Sequence, residues 1–196
     1  MKITDVKVSL VEAPLITPFK TALRTVHSIQ NVMVILTTDD GQIGIGEAAP
    51  THVITGETLG SLKYAIEEVI APVIKGINIA EIAVLCERVD RCLYQNTSAK
   101  AAVEMALYDL WAKKYQAPLY QLLGGYRNTL KTDITISVND SVEMVNDSLA
   151  AVKRGFSILK VKVGKDPIGD VERVVNIREA VGPDVVLRVD ANQGWT

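Results

Sequence analysis

Cysteine, histidine, surplus charge and long apolar runs are all scarce in this sequence of 196 residues, and each shortage removes a class of function. Cys86 and Cys92 are the only cysteines. They fall in a segment of helical periodicity, where a six-residue step turns them about 240° apart, too divergent for a disulfide. Two reduced core thiols are expected. His27 and His52 lie in polar loops with no cysteine or histidine partner nearby in sequence, which removes the usual zinc sites. A total of 21 Lys plus Arg against 23 Asp plus Glu leaves a formal charge of −2, so no basic surplus exists to bind nucleic acid or an anionic membrane. No stretch approaches the ~20 consecutive apolar residues of a membrane span. Asp5, Lys7 and Glu12 interrupt the opening MKITDVKVSLVEAPL where a signal peptide needs an apolar run, so a cytoplasmic protein is expected. Apolar residues in total make up 48% of the chain, which points to a packed core rather than disorder.

Lys2 to Val11 alternates loosely between apolar and polar residues, and two β-rich runs follow, Asn31 to Thr37 and Gln42 to Glu47. Between the last two stands Asp39-Asp40-Gly41; Asp-Gly between apolar runs signals a hairpin, because glycine takes the positive φ of a tight turn. A small antiparallel meander is predicted. From Gly56 the period becomes helical, with Leu62, Ala65, Ile66, Val69 and Ile70 at three- and four-residue spacing in Thr58 to Val73, and a second such run from Ile79 to Leu93. Ser98 then precedes AKAAVEMALYDLWAKKY, a helix whose small residues suit close packing against a neighbour. Pro118 opens a short helical turn stopped by Gly124 and Gly125, where a domain boundary is expected. Gly44-Ile45-Gly46 imitates part of a dinucleotide fingerprint, but Pro50 follows and no helix opens, so these read as strand glycines.

After Tyr126 the period changes again. Strands are predicted over Thr132 to Val138, Ile158 to Val163 and Val185 to Asp190, alternating with helices over Val142 to Arg154 and Ile168 to Val181. This βαβαβ order predicts a parallel sheet with right-handed crossovers. The 71 residues from Tyr126 to Thr196 fall well short of the ~250 of a closed (β/α)8 barrel, so the sequence is expected to stop inside the architecture it begins.

The strand Ile158-Leu159-Lys160-Val161-Lys162-Val163 carries the sharpest chemical signal. Alternation puts Lys160 and Lys162 on one face and Leu159, Val161 and Val163 on the other. In a parallel strand covered on both sides, two ammonium groups are interior, and burying an unpaired charge costs several kcal/mol. Two like charges about 7 Å apart are also expected to depress each other's pKa, moving a lysine towards its proton-accepting form. An exposed edge strand with a solvated basic face is the structural alternative. The next strand ends Leu187-Arg188-Val189-Asp190-Ala191-Asn192, with Asp190 at the carboxyl end, where parallel α/β folds place their sites. There it suits a hard cation such as Mg²⁺ beside a lysine base, or else a loop cap or a lysine partner. Arg24, after the first strand, could clamp a carboxylate or simply be solvated.

Taken together, the meander, the helical segment ending AKAAVEMALYDLWAKKYQAPLYQLLGG, and then TDITISV, LKVKVGKD and LRVDANQGW resemble the enolase superfamily, muconate-lactonizing subgroup, and within it most the L-Ala-D/L-Glu dipeptide epimerases. The resemblance implies an α+β N-terminal capping domain over 1–125, followed over 126–196 by the first βαβαβ part of a modified (β/α)8 TIM-type barrel, truncated. It implies that Lys162 is the base removing an α-proton, that Lys160 supports the substrate carboxylate and its charge, and that Asp190 is the first of three Mg²⁺ ligands, with Asn192 close by in the same motif. Phe19 and Arg24 match the mobile loop that covers the substrate, and Thr135 matches a substrate contact on the first barrel strand. An enediolate stabilised by Mg²⁺ and lysine is the established pattern of that superfamily rather than a deduction from these residues.

The resemblance places the other metal carboxylates, the opposing lysine and the residues for a dipeptide's ammonium group beyond Thr196. A parent enzyme acting on a small dipeptide such as L-Ala-L-Glu, as a homo-oligomer with neither nucleic acid nor membrane as partner, is therefore the expectation, with the 196-residue chain alone inactive. N-acylamino acid racemase, o-succinylbenzoate synthase and muconate cycloisomerase share the lysine motif and stand as alternatives. A non-catalytic fragment that pairs through its strand edges, and a phosphate cradle at Gly164-Lys165, are readings from other classes.

Overall fold

A computed structural model describes residues 1–164 and 166–195. Lys165, raised with Gly164 as a phosphate cradle, lies outside the described residues. The chain divides into two units, one of residues 1–13 and 29–127 and one of residues 14–28 and 128–196.

Three strands form the sheet of the first unit in the order β1 (Ile3–Lys20), β2 (Thr25–Thr38), β3 (Ile43–Ala48). The turn at Asp39 to Gly41 joins β2 to an antiparallel β3, with Val34 opposite Gly46 and Leu36 opposite Gly44. β1 and β2 run far beyond their expected ends, giving a long arm whose outer part, 14–28, belongs to the second unit. Pro14 and Pro18 concealed this. Proline depresses strand propensity because it lacks an N–H, yet it is tolerated on an edge strand such as β1, where no partner needs that donor.

Helices follow. α1 (Leu59–Tyr64) starts with a capping box between Thr58 and Ser61, passes into a π-helical stretch (Ala65–Ile70), and continues as α2 (Ala71–Ile74). The expected run from Thr58 to Val73 is thus one helical rod with a widened middle. Leu62, Ile66, Ile70 and Ile74 are all buried at four-residue spacing. Such spacing drifts by about 40° per step round an α-helix, and wider turns cancel the drift. α3 (Ile82–Arg91) buries Leu85 and Val89. Cys86 and Cys92 are unpaired as expected, but both are half-buried rather than core residues, Cys92 because α3 ends there.

α4 (Thr97–Lys114) lies across β3 and buries Ala99, Ala102, Val103, Ala106, Leu107 and Leu110. Gly44 and Gly46 make this approach possible: a Cβ on Gly44 would strike the carbonyl of Ala106 and the Leu110 side chain, and one on Gly46 the carbonyl of Ala102. The small residues of α4 have found their close neighbour. Asn96 contributes no side-chain cap, and the free N–H groups of the first turn are taken by Glu57, which accepts from Ser98 N at 3.1 Å and Ala99 N at 3.2 Å and from the Ser98 hydroxyl. Burial pushes the Glu57 carboxyl up, but the bonds from the Ser98 hydroxyl and the Ala99 and Ser98 amides together outweigh it and hold the group below its ordinary value. α5 (Leu119–Leu122) closes the unit.

In the second unit, β4 (Ile134–Ile136), β5 (Ile158–Lys162) and β6 (Val186–Asp190) form a parallel sheet in that order, with α6 (Ser141–Lys153) and α7 (Pro167–Val181) as crossovers. The predicted elements and the observed ones differ by at most two residues at each end. Asp140 and Asp166 cap the two helices through the amides of Glu143 and Gly169. Ile136, Met144, Ala151, Leu159, Val161, Val163, Ile177 and Val185 pack into one core. The arm is tied in by Lys20, whose carbonyl accepts from Val138 N at 3.2 Å and whose N–H donates to Ser137 Oγ at 3.3 Å.

Two outcomes are expected of the first unit. Gly46→Ala forces β3 and α4 apart and lowers unfolding free energy by about 2–4 kcal/mol, read as a shift in the urea midpoint at unchanged slope. Because the folded pKa of Glu57 is depressed, its contribution is fully present above the ordinary glutamate value and is lost as pH falls through the folded value. Glu57→Gln therefore destabilises by about 1–3 kcal/mol at neutral pH, and the difference from the unaltered chain shrinks below about pH 4 in pH-dependent melting.

Candidate functional site

Parallel register arranges the polar face of the second unit in rungs. Thr135 of β4 stands opposite Lys160 of β5, which stands opposite Arg188 of β6, and Lys162 stands opposite Asp190 at the carboxyl ends. The opposite face of β5 carries Leu159 and Val161, both fully buried, so the alternation expected of this strand is observed.

Lys162 is 4% exposed and Lys160 half-buried. Both ammonium groups reach the same carboxylate oxygen: Lys162 Nζ is 2.8 Å and Lys160 Nζ 2.9 Å from Asp190 Oδ2, while Asp190 Oδ1 accepts from Asn192 N at 2.9 Å. The bond from Lys162, then that from Lys160, then the Asn192 amide hold the Asp190 carboxyl well below the usual carboxylate range. The expectation that the lysines would lower each other's pKa is overturned for Lys160. Its hydrogen bond and charge interaction with Asp190 raise it, because a carboxylate lies nearer than the second ammonium.

Phe19 of the arm lies over Lys162, whose Nζ is 5.7 Å from its ring centroid. Arg24 sits in the turn between β1 and β2, where Thr21 N donates to its carbonyl at 2.9 Å, and its side chain is exposed. The structure therefore gathers Lys160, Lys162, Asp190 and Phe19, sets Thr135 beside Lys160, and leaves Arg24 in solvent. Arg188 pairs with Asp133 at 3.1 Å, a polar contact that strand parity alone did not assign. A cavity of about 610 Å³ opens on the other face, lined by Val163, Val174, Val189 and Trp195 among others, away from the lysines.

Among the described residues no three His, Cys, Asp or Glu side chains converge as a metal site. The chain does offer hard oxygen donors of the kind Mg²⁺ takes: the ionised Asp190 carboxylate and, past the strand end, the buried Oδ1 of Asn192, which has no hydrogen-bond partner. Asn192 lies past the end of β6 with a left-handed backbone, φ 46°. These oxygens fit one side of an Mg²⁺ shell.

Residues 3–124 match the family model for the mandelate racemase / muconate lactonizing enzyme N-terminal domain, and residues 143–196 match that for the enolase C-terminal domain-like fold. The chain is 50% identical over 195 residues to the L-Ala-D/L-Glu epimerase of Clostridium acetobutylicum, covering all of this chain and 54% of that protein. A substrate-liganded complex of the L-Ala-D/L-Glu epimerase from Bacillus subtilis superposes with a TM-score of 0.96 at 50% identity, covering all of this chain and 55% of that one. A dipeptide epimerase from Enterococcus faecalis complexed with Mg and the dipeptide L-Leu-L-Tyr gives a TM-score of 0.96 at 43% identity, covering 100% and 55%. The chain spans about half the length of the curated relatives it matches.

The shared carboxylate makes the two sides of the ion pair unequal. Asp190→Asn leaves a buried ammonium without a counter-charge and is expected to cost about 3 kcal/mol. Lys162→Met leaves Asp190 paired to Lys160 and should change stability by less than about 1 kcal/mol. Denaturant midpoints of the two variants give the comparison.

Proposed function

The chain belongs to the mandelate racemase / muconate lactonizing enzyme family within the enolase superfamily, and from that premise we propose that its lysine–aspartate cluster serves Mg²⁺-dependent dipeptide epimerisation, with a dipeptide of the L-Ala-L-Glu type as substrate. The carrying observation is the buried Lys162 ammonium, 2.8 Å from Asp190 at the carboxyl ends of adjacent parallel strands and covered by Phe19. The two L-Ala-D/L-Glu epimerases at 50% identity support the choice of dipeptide.

Lys162 Nζ, as the free amine, accepts the α-proton, and the C–H electron pair moves into the carboxylate as an enediolate. The Lys160 ammonium stands beside that carboxylate and strengthens its hold as the second negative oxygen develops, which favours the transition state over bound substrate. Bound at Asp190, with Asn192 Oδ1 beside it, Mg²⁺ would supply further positive charge to the same oxygens. Phe19 excludes water from Lys162, the Thr135 hydroxyl contacts the substrate from the neighbouring strand, and the Arg24 guanidinium pairs with its distal carboxylate. Return of the proton on the opposite face needs a second acid, which this reading assigns to the half of the relatives beyond the matched length.

Proton NMR in D₂O with Mg²⁺ and L-Ala-L-Glu tests the reading, using a polypeptide that carries this sequence at the full length of those relatives. The glutamate α-proton should wash out as the D-epimer appears, and Lys162→Ala should slow the exchange by about 10²–10⁴-fold. Exchange that is unaffected by Lys162→Ala would overturn the assignment.

A further inference from the structure

Asp170 is a buried carboxylate, 4% exposed, that the chemistry above does not use. Its Oδ2 accepts from Gly164 N at 2.7 Å, two residues past Lys162, and its Oδ1 lies 3.0 Å from Arg173 Nη1. Arg173 also donates through Nε to the Asn139 carbonyl at 3.0 Å. The Asn139 side chain in turn accepts from Lys20 Nζ and donates to Glu143 at 2.8 Å. Lys20 adjoins Phe19, whose ring covers Lys162 Nζ.

These contacts make a circuit that begins and ends at Lys162, running through Phe19, Lys20, Asn139, Arg173, Asp170 and Gly164, all within the second unit. A second observation puts Gly164 against the arm. Gly164 has φ 107°, and a Cβ on it would lie 2.6 Å from the Ala191 carbonyl and 3.1 Å from the Ala22 Cβ. The exit of β5, the exit of β6 and the arm therefore meet at one point. Arg173 is the only member of the circuit whose side chain bonds both to the anchor of the arm and to the anchor of the β5 exit.

We propose that Arg173 is a positioning residue that fastens the 14–28 arm and the turn after Lys162 to one guanidinium, holding Phe19 over Lys162 Nζ. The inference rests on Lys162 being the proton-accepting group only for its functional meaning; the fastening itself is a property of this chain. Arginine is required because one planar fork spans the Asp170 carboxylate and the Asn139 carbonyl, which a single ammonium does not.

The test uses the 196-residue chain in solution NMR and needs no substrate. The ring current of Phe19 shifts the Lys162 ε-methylene signal, with Phe19→Leu as the reference for its loss. Arg173→Met and Arg173→Lys should both move that signal to the Phe19→Leu position and speed exchange of the Val138 amide, which donates to Lys20, by about tenfold or more. Amides inside α6 should keep their protection. Should Arg173→Met fail to fold, Asn139→Ala, which leaves the carbonyl bond to Arg173 intact and removes the side-chain bonds to Lys20 and Glu143, should give the same loss of shift, with Glu143→Ala, which removes the Glu143 bond alone, leaving the shift in place. A Lys162 signal unmoved in the folded variants, or a loss of protection uniform across the unit, would overturn the proposal. Absence of α-proton exchange in the full-length polypeptide, with the ring-current shift intact in the 196-residue chain, would overturn the proposed activity and leave the fastening in place.

Discussion

Two ammonium groups on one face of a parallel strand repel each other in a medium of low dielectric, and the Asp190 carboxylate is what lets Lys160 and Lys162 stand there. The rest of the second unit follows from that shared oxygen. β6 must lie beside β5, parallel and in the register that sets Lys162 opposite Asp190, since a slip of one residue would turn the carboxylate to the apolar face. The apolar face is fixed in the same step, with Leu159 and Val161 fully buried. Stability and chemistry thus draw on one contact, the Asp190 oxygen that both lysines share.

Buried carboxylates recur as fasteners of main-chain N–H groups. Glu57 closes the start of α4 and Asp170 closes the turn after β5, each accepting an amide hydrogen bond from outside its own turn, Glu57 from a helix 41 residues on and Asp170 from the loop six residues before it. In both, the negative charge is met by backbone dipoles, and for Asp170 also by Arg173. The two units thus use the same local solution for different ends, one to terminate a helix in the core and the other to set the loop that follows a strand of the site.

Where a structural feature depends on short-range periodicity, the sequence displays it. The β/α alternation after Tyr126, the paired faces of Lys160 and Lys162, and the Asp-Gly turn are all set within a few residues, and the elements after Tyr126 emerge within two residues of their expected ends. Where a feature depends on partners far apart in the chain, it stays hidden. Nothing near Glu57 announces that Ser98 and Ala99 will need an acceptor, and Asp170 reads as an ordinary acidic residue of a first helical turn. The length of β1 was concealed for the opposite reason, a strong local signal from Pro14 and Pro18 that applies only to strands with neighbours on both sides. Asp190 as a lysine partner is among the roles its position offers, but that one oxygen serves both Lys160 and Lys162 is not legible, because like-charge repulsion can be read from spacing whereas the distance to a residue 28 positions on cannot.

Those prolines have a bearing on self-association. Pro14 and Pro18 are four residues apart in an extended strand, so their missing donors fall on the same edge, with exposed Ile16 between them. β1 is the outer strand, and on that edge two of the three N–H groups between residues 14 and 18 are missing, which leaves an incoming strand only the Ile16 donor to pair with there. An extended ribbon carrying exposed Leu10, Ile16 and Leu23 would otherwise be a template for intermolecular sheet growth. The arm can thus remain long and apolar enough to lie over a site, yet be a poor seed for fibrils.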